Sequence, residues 1–194
     1  MWIGPGLPAV LIAVSLLGAG PVPAVAPPVM DPTALHLESH RLRSAVVYVG
    51  TVSAVRRLGD LDGLTGPTQG RMEATIGIGK MLRTIAGAPV PGEAVVEFDD
   101  RTPEAEGDGF YSLGVGQAVL VFADGLAPAY ARELFHGTPA TLAADVKALR
   151  DFVASLDADG LALHGLTAAT RVSQVRLYDD TLGAIAPMAR KGSK

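Results

Sequence analysis

The chain has 194 residues, 48% of them hydrophobic, enough for one sizeable core and consistent with a single domain carrying an appendage. A formal net charge of -4 offers no overall attraction for a polyanion. With aromatic residues at 5%, few rings remain for base stacking once a core is filled, and nucleic acid is not an expected partner. Cysteine is absent, which removes disulfides, thiolate zinc sites and cysteine nucleophiles together.

No charged residue occurs from Met1 to Met30. The apolar heart of this stretch, Ala9 to Leu17, has the length of a signal-peptide hydrophobic region and falls short of the ~20 residues of a membrane-spanning helix. Ala24 and Ala26 supply an A-x-A cleavage pattern, with an alternative cut near Gly18 to Gly20. Against cleavage stand Pro27, directly after the site, and the lack of Lys or Arg ahead of the apolar run. Residues 1–26 are therefore expected to be a signal peptide, with an uncleaved N-terminal anchor as the rival. The expected location is exported, periplasmic or extracellular, with a membrane reached only through that segment if it is retained. Residues 27–32, with Pro27, Pro28 and Pro32, form a stiff linker.

Asp31 to Arg43 predicts a short helix, with Asp31 as N-cap and Pro32 at its first position. Ala45 to Arg57 (AVVYVGTVSAVRR) is the strand around which the rest is arranged. It is apolar and β-branched on both faces through Val49, then broken by Gly50, where a bulge or sharp bend is expected. A glycine- and proline-rich loop follows from Leu58 to Gly70. Arg71 to Lys80 alternates as a half-buried strand, Met81 to Ile85 reads as a turn, and Glu93 to Phe98 alternates again. Asp99 to Gly109 is an acidic loop, Phe110 to Val115 a short strand or turn, and Gln117 to Ala123 a buried strand.

Beyond Pro128 the period changes. Thr138 and Pro139 open a helix through Leu142, Val146, Leu149, Val153 and Leu156, which stops at Asp157 to Gly160. Thr167 caps a second helix through Val172, Val175, Tyr178, Leu182 and Ile185. Strands followed by helices predict an α+β fold. The expected layout is an OB-like barrel domain with its leading helix over 33–127, an αα-hairpin packed on it over 128–186, and a disordered tail over 187–194.

The runs SAVVYVGTVSAVRR, ATIGIGKMLRTIAG, PGEAVVEFDD and YSLGVGQAVLVFADG resemble the barrel of netrin-like or tissue-inhibitor-of-metalloproteinase-like modules of exported bacterial proteins. The resemblance covers Ser44 to Gly125 and implies OB architecture, five strands in a partly open Greek key. In the inhibitors an N-terminal cysteine chelates the target's zinc. This chain has none, so that mechanism is not implied, and no residue here inherits a role.

His36 and His40 would share one face of a helix, but the zincin pattern needs Glu directly after the first His, and Leu37 stands there. A two-histidine metal site would need His136, His164 or a loop carboxylate to complete it. Asp99, Asp100, Glu104, Glu106 and Asp108 are either a calcium-gathering loop or a solvated one. The D-x-D-G runs at Asp60 and Asp157 fail as calcium loops, with Arg71 and Ala168 where a bidentate Glu is required. Gly79 and Lys80 fail as a phosphate loop because Ala74 and Met81 occupy the other required positions. Gly114 and Gly116 lack the third glycine of a dinucleotide site. Ser112, Asp108 and His136 or His164 make a triad on paper only, and G-x-S-x-G is absent. Arg41, Arg43, Arg56, Arg57, Lys80 and Arg83 read as solvated edge protection.

No catalytic, cofactor-binding or metal-ligating residue and no cofactor is assigned. The expected function is an exported non-enzymatic binding or interaction module acting on a protein or cell-envelope component. The alternatives are a metal-dependent hydrolase using His36 and His40, and a structural envelope-anchored protein.

Overall fold

The computed structural model describes residues 37–60, 70–100, 112–126 and 128–191, all within the unit Asp31–Lys194. In chain order the elements are α1 (Leu37–Arg43), β1 (Val46–Asp60), β2 (Gly70–Arg83), β3 (Glu93–Asp100), β4 (Ala118–Ala123), β5 (Ala129–Gly137), α2 (Pro139–Ser155), α3 (Ala158–Leu163) and α4 (Ala168–Lys191). The fold is α+β, a five-stranded sheet followed by helices.

β1 pairs antiparallel with β2 along its length and, over Val46 to Thr51, with β4 on its other side. β2 pairs antiparallel with β3, and β4 with β5. β3 meets β5 in parallel through two residue pairs, Val96 with Ala129 and Glu97 with Tyr130. Neighbours therefore run β1-β2-β3-β5-β4.

The doubly apolar start of β1 explains how the layers stack. Val46, Tyr48 and Val52 point into one core with Ile76, Val96, Phe98, Val119, Val121 and Leu134. Val47 and Val49, on the other face, pack with Leu120 and Phe122 of β4 against Leu142, Val146 and Val153 of α2 and Leu177, Tyr178 and Ile185 of α4. One stretch of strand thus serves two cores, which is why it has no polar face. Gly50 lies at a register shift between β1 and β2. A Cβ there would sit 2.5 Å from both the Gly77 carbonyl oxygen and Ile76 Cγ2, so the bend requires a residue without a side chain.

Several expected boundaries are corrected. The fifth strand is β5, inside the range assigned to the helical hairpin; of the short strand or turn expected over Phe110 to Val115, 112–115 are not strand, a turn falls at Val115 and Gly116, and 110–111 lie outside the described residues. β5 escapes a period-two reading because Phe122 pairs with Glu133 while the neighbouring Ala123 pairs with Ala131. Arg132 is thus an extra residue, and the inward positions Ala131 and Leu134 fall three apart. β2 continues through the predicted turn to Arg83, which pairs with Val47, because the buried start of β1 needs a partner there. β1 likewise extends to Asp60. α2 ends at Ser155 with Leu156 as its C-cap, and Asp157, expected to lie in the stop, instead caps a further helix, α3, its side chain accepting from the Gly160 N–H at 2.8 Å. α4 passes through Pro187 to Lys191, so 187–191 of the expected tail are helical. Its later turns are held by packing: Ile185 is buried and Met188 meets Gly79. Asp31 and Pro32 lie outside the described residues.

Two predictions follow from the cores. Gly50→Ala should lower unfolding free energy by about 1–3 kcal/mol through overpacking, whereas Gly59→Ala, whose Cβ would meet nothing within 4 Å, should be near neutral. Urea denaturation distinguishes them, and equal effects would contradict the close-approach account. The Tyr48 hydroxyl is buried without a hydrogen-bond partner among the described residues, and burial raises its pKa well above the ordinary value of 10.0. The folded chain therefore keeps a proton that the unfolded chain releases above about pH 10, and stability should fall as pH rises beyond that point. Tyr48→Phe should be at least as stable as the parent at pH 7 and should lose less stability between pH 10 and 11.

Candidate functional site

α1 is short, and its hold on the fold is polar. Glu38 and Arg41, one turn apart, are 2% and 4% exposed. The Arg41 guanidinium pairs with Glu38, grips both carboxylate oxygens of Glu133 on β5, with Nε at 2.6 Å from Oε2, and lies over the Phe135 ring at 5.1 Å. Glu38 in turn accepts from Tyr178 Oη at 3.0 and 3.1 Å and from Gln174 Nε2 at 3.0 Å, both on α4. Arg83, at the end of β2, closes the C-terminus of α1: its Nη1 donates to the carbonyls of Arg41, Leu42 and Ser44 at 2.9–3.0 Å.

Burial works against the charge on Arg41, but the Glu133 hydrogen bond and the surrounding acidic groups override it and hold the proton more tightly than usual. Arg83, half-buried, is shifted downward by desolvation, which outweighs the opposing influence of Tyr178. Burial also raises Tyr178, which therefore stays a neutral donor to Glu38. The cluster is a fixed clamp joining α1, β5 and α4.

One turn beyond the clamp, α4 and the sheet border a cleft of about 870 Å³. Gly79, Gly116 and Ala118 line its sheet side, and Gly183 and Ala184 line its helix side. Small residues leave the space open: a Cβ on Gly183 would meet nothing within 4 Å. Helix and sheet touch at one end, where Met188 Cε would lie 2.8 Å from a Cβ on Gly79. Lys80 and Asp180 add opposite charges to the lining, both exposed and neither with an ionic or hydrogen-bond partner among the described residues. The neighbouring Asp179 is engaged by Arg150 at 3.1 Å.

The residues singled out from sequence are scattered. His36 lies outside the described residues, and His40 is carried by α1. His136, half-buried on β5, has Nδ1 3.2 Å from Gln117 Oε1. His164 is buried at the end of α3, edge-on to Phe152, with neither ring nitrogen hydrogen-bonded. Among the described residues no group of three or more His, Cys, Asp or Glu is placed to hold a metal ion. Asp99 and Asp100 end β3, and Ser112 Oγ donates to Asp100 at 3.3 Å; Glu104, Glu106 and Asp108 lie outside the described residues. Gly77, Gly79 and Lys80 lie in β2.

The reading of six basic residues as solvated edge protection is corrected for Arg41 and Arg83, which are drawn inward by carboxylates and by helix-end carbonyls. Arg56 does act on the surface, bridging strands to Glu73 at 2.6 and 2.9 Å. Sequence reasoning missed Glu38, Glu133, Gln174 and Tyr178 as a set. The available signal was Gln174 and Thr181 lying in the buried stripe of α4 with Tyr178 and Ile185, where an amphipathic helix ordinarily carries apolar residues. No family model and no curated protein matches the chain.

Arg41→Met should cost about 3–5 kcal/mol, because it strands two carboxylates. The double variant Glu38→Gln/Arg41→Met should recover part of that loss. Denaturation of both at pH 7 measures it, and additive losses would contradict a coupled clamp.

Proposed function

We propose that the chain is an exported, non-enzymatic binding module built on an OB-like barrel, holding a protein or cell-envelope component in the cleft between α4 and the sheet. The barrel reading is supported by the neighbour order β1-β2-β3-β5-β4, by the parallel β3–β5 contact, and by a long first strand that bends at Gly50 to serve both β2 and β4. Export is supported by the apolar run Ala9 to Leu17 and the A-x-A pattern at Ala24 and Ala26.

The observation that carries the binding reading is the cleft itself, an open space within the ~300–1,000 Å³ range of ligand sites, lined by small residues and by an unpaired Lys80 and Asp180. Those groups can orient a partner by charge and hydrogen bonding. The polar groups of the described lining, Thr51, Lys80, Asp179 and Asp180, can hold a partner by charge and hydrogen bonding, and recognition is the use this reading gives them.

Gly183→Leu tests the site, since its side chain would enter the empty space from an exposed helix position. Wild type incubated with a detergent extract of cell envelope should retain, after cross-linking, a component that Gly183→Leu of equal thermal stability does not. Retention of the same set by both proteins would overturn the cleft as the binding site. Expression of the full chain in a bacterium should yield a mature protein whose mass lacks residues 1–26; a cytoplasmic full-length product would contradict export.

A further inference from the structure

Resting on the binding reading above, we infer that the ligand of the cleft is a short peptide with free termini, its carboxylate held by Lys80 and its ammonium by Asp180. The cleft carries one unpaired charge of each sign, and the other nearby carboxylate, Asp179, is already matched by Arg150. A purely anionic ligand would meet Asp180, and a purely cationic one would meet Lys80. A ligand with both charges and no net charge answers both groups.

Gly183 supplies an independent observation. Glycine within a helix costs about 1 kcal/mol relative to alanine, and it is ordinarily retained where backbone conformation or close packing demands it. Gly183 is not among the glycines with positive φ, and its Cβ would meet nothing within 4 Å; the backbone feature beside it is Pro187, which leaves the Gly183 carbonyl without its helical N–H partner, and the Gly183→Ala variant separates that role from a ligand's. Gly79 is different, because Met188 explains it. A glycine that the protein's own packing does not require, facing a cleft, keeps the helix surface low enough for another backbone to approach. Ala118 and Gly116 do the same on the sheet side. A main chain between two such walls, with a charge at each end, can use the low surfaces together with Lys80 and Asp180. A lipid headgroup of the same dipolar charge would use the charges but not the low walls.

The experiment is a titration of the purified folded chain with triglycine, followed by amide chemical shifts in a two-dimensional NMR spectrum. Parallel titrations use N-acetyl-triglycine amide and glycerophosphoethanolamine. Triglycine should perturb Lys80, Gly116 and Gly183 in saturable fashion, whereas the doubly capped peptide should bind at least about tenfold more weakly, as should Lys80→Ala and Asp180→Asn with triglycine.

Gly183→Ala should raise the melting temperature while weakening triglycine binding, two effects of opposite sign that a purely structural glycine would not give. If Gly183→Ala is destabilised, the glycine serves the Pro187 turn of α4 and the inference fails. Equal binding of capped and free peptide, or binding of glycerophosphoethanolamine in place of triglycine, also overturns it. Should no peptide bind while an envelope component is still retained in a Gly183-sensitive way, the ligand class is wrong and the binding module stands; loss of both removes both.

Discussion

The Arg41 guanidinium, 4% exposed and held between Glu38 and Glu133, is the contact on which the arrangement of this protein depends. A buried cation of this kind contributes little net stability, since desolvating three ions offsets most of their attraction. What it supplies is position. Glu133 belongs to β5, and Glu38 passes the constraint to Gln174 and Tyr178 of α4, so a seven-residue helix registers the last strand against the last helix. Arg83 adds β2 to the same junction by closing the end of α1. An apolar contact at this place would permit sliding, whereas forked and charge-assisted bonds fix both distance and direction.

The cleft is a consequence of that registration. Tyr178 sits immediately before Asp179 and Asp180, and the clamp therefore sets where the cleft's helix wall begins. Leu177, Tyr178 and Ile185 fill the space between α4 and the outer face of β1 and β4. On the neighbouring face of α4, Gly183 and Ala184 line the cleft with Gly79, Gly116 and Ala118, and Met188 approaches the sheet at Gly79. The sheet can offer an apolar outer face because β1 and β4 are buried on both sides, which the close approach at Gly50 makes possible.

Much of the sheet was legible in the sequence. The unalternating run Val46 to Val49, the clean alternation of Arg71 to Lys80 and the glycine at position 50 each report a local cause: two buried faces, one buried face and a backbone contact. Helix α2 was legible for the same reason, its Thr138 cap and apolar stripe lying within one segment. β5 was not, because the extra residue at Arg132 shifts the side-chain parity midway and destroys the period that identifies a strand. The clamp was beyond reach for another reason. Apart from the Glu38–Arg41 pair within α1, its bonds join residues 92, 136 and 140 positions apart, and nothing local marks Glu133, Gln174 or Tyr178 as partners. The cleft is harder still, since it is made by missing side chains on separate elements. His36 and His40 attracted notice because spacing is visible in a sequence, while enclosure is not.

α1, β5 and α4 are locked into one unit through Arg41. Native-state hydrogen exchange of the full chain, compared between wild type and Arg41→Met under conditions where both remain folded, tests it most directly. The account predicts that amides of β5 and α4 lose protection together and by a similar factor, while those of β2 and β3 around Ile76 and Val96 change less. Protection of α4 that is unaltered by loss of the guanidinium, or that changes independently of β5, would contradict it.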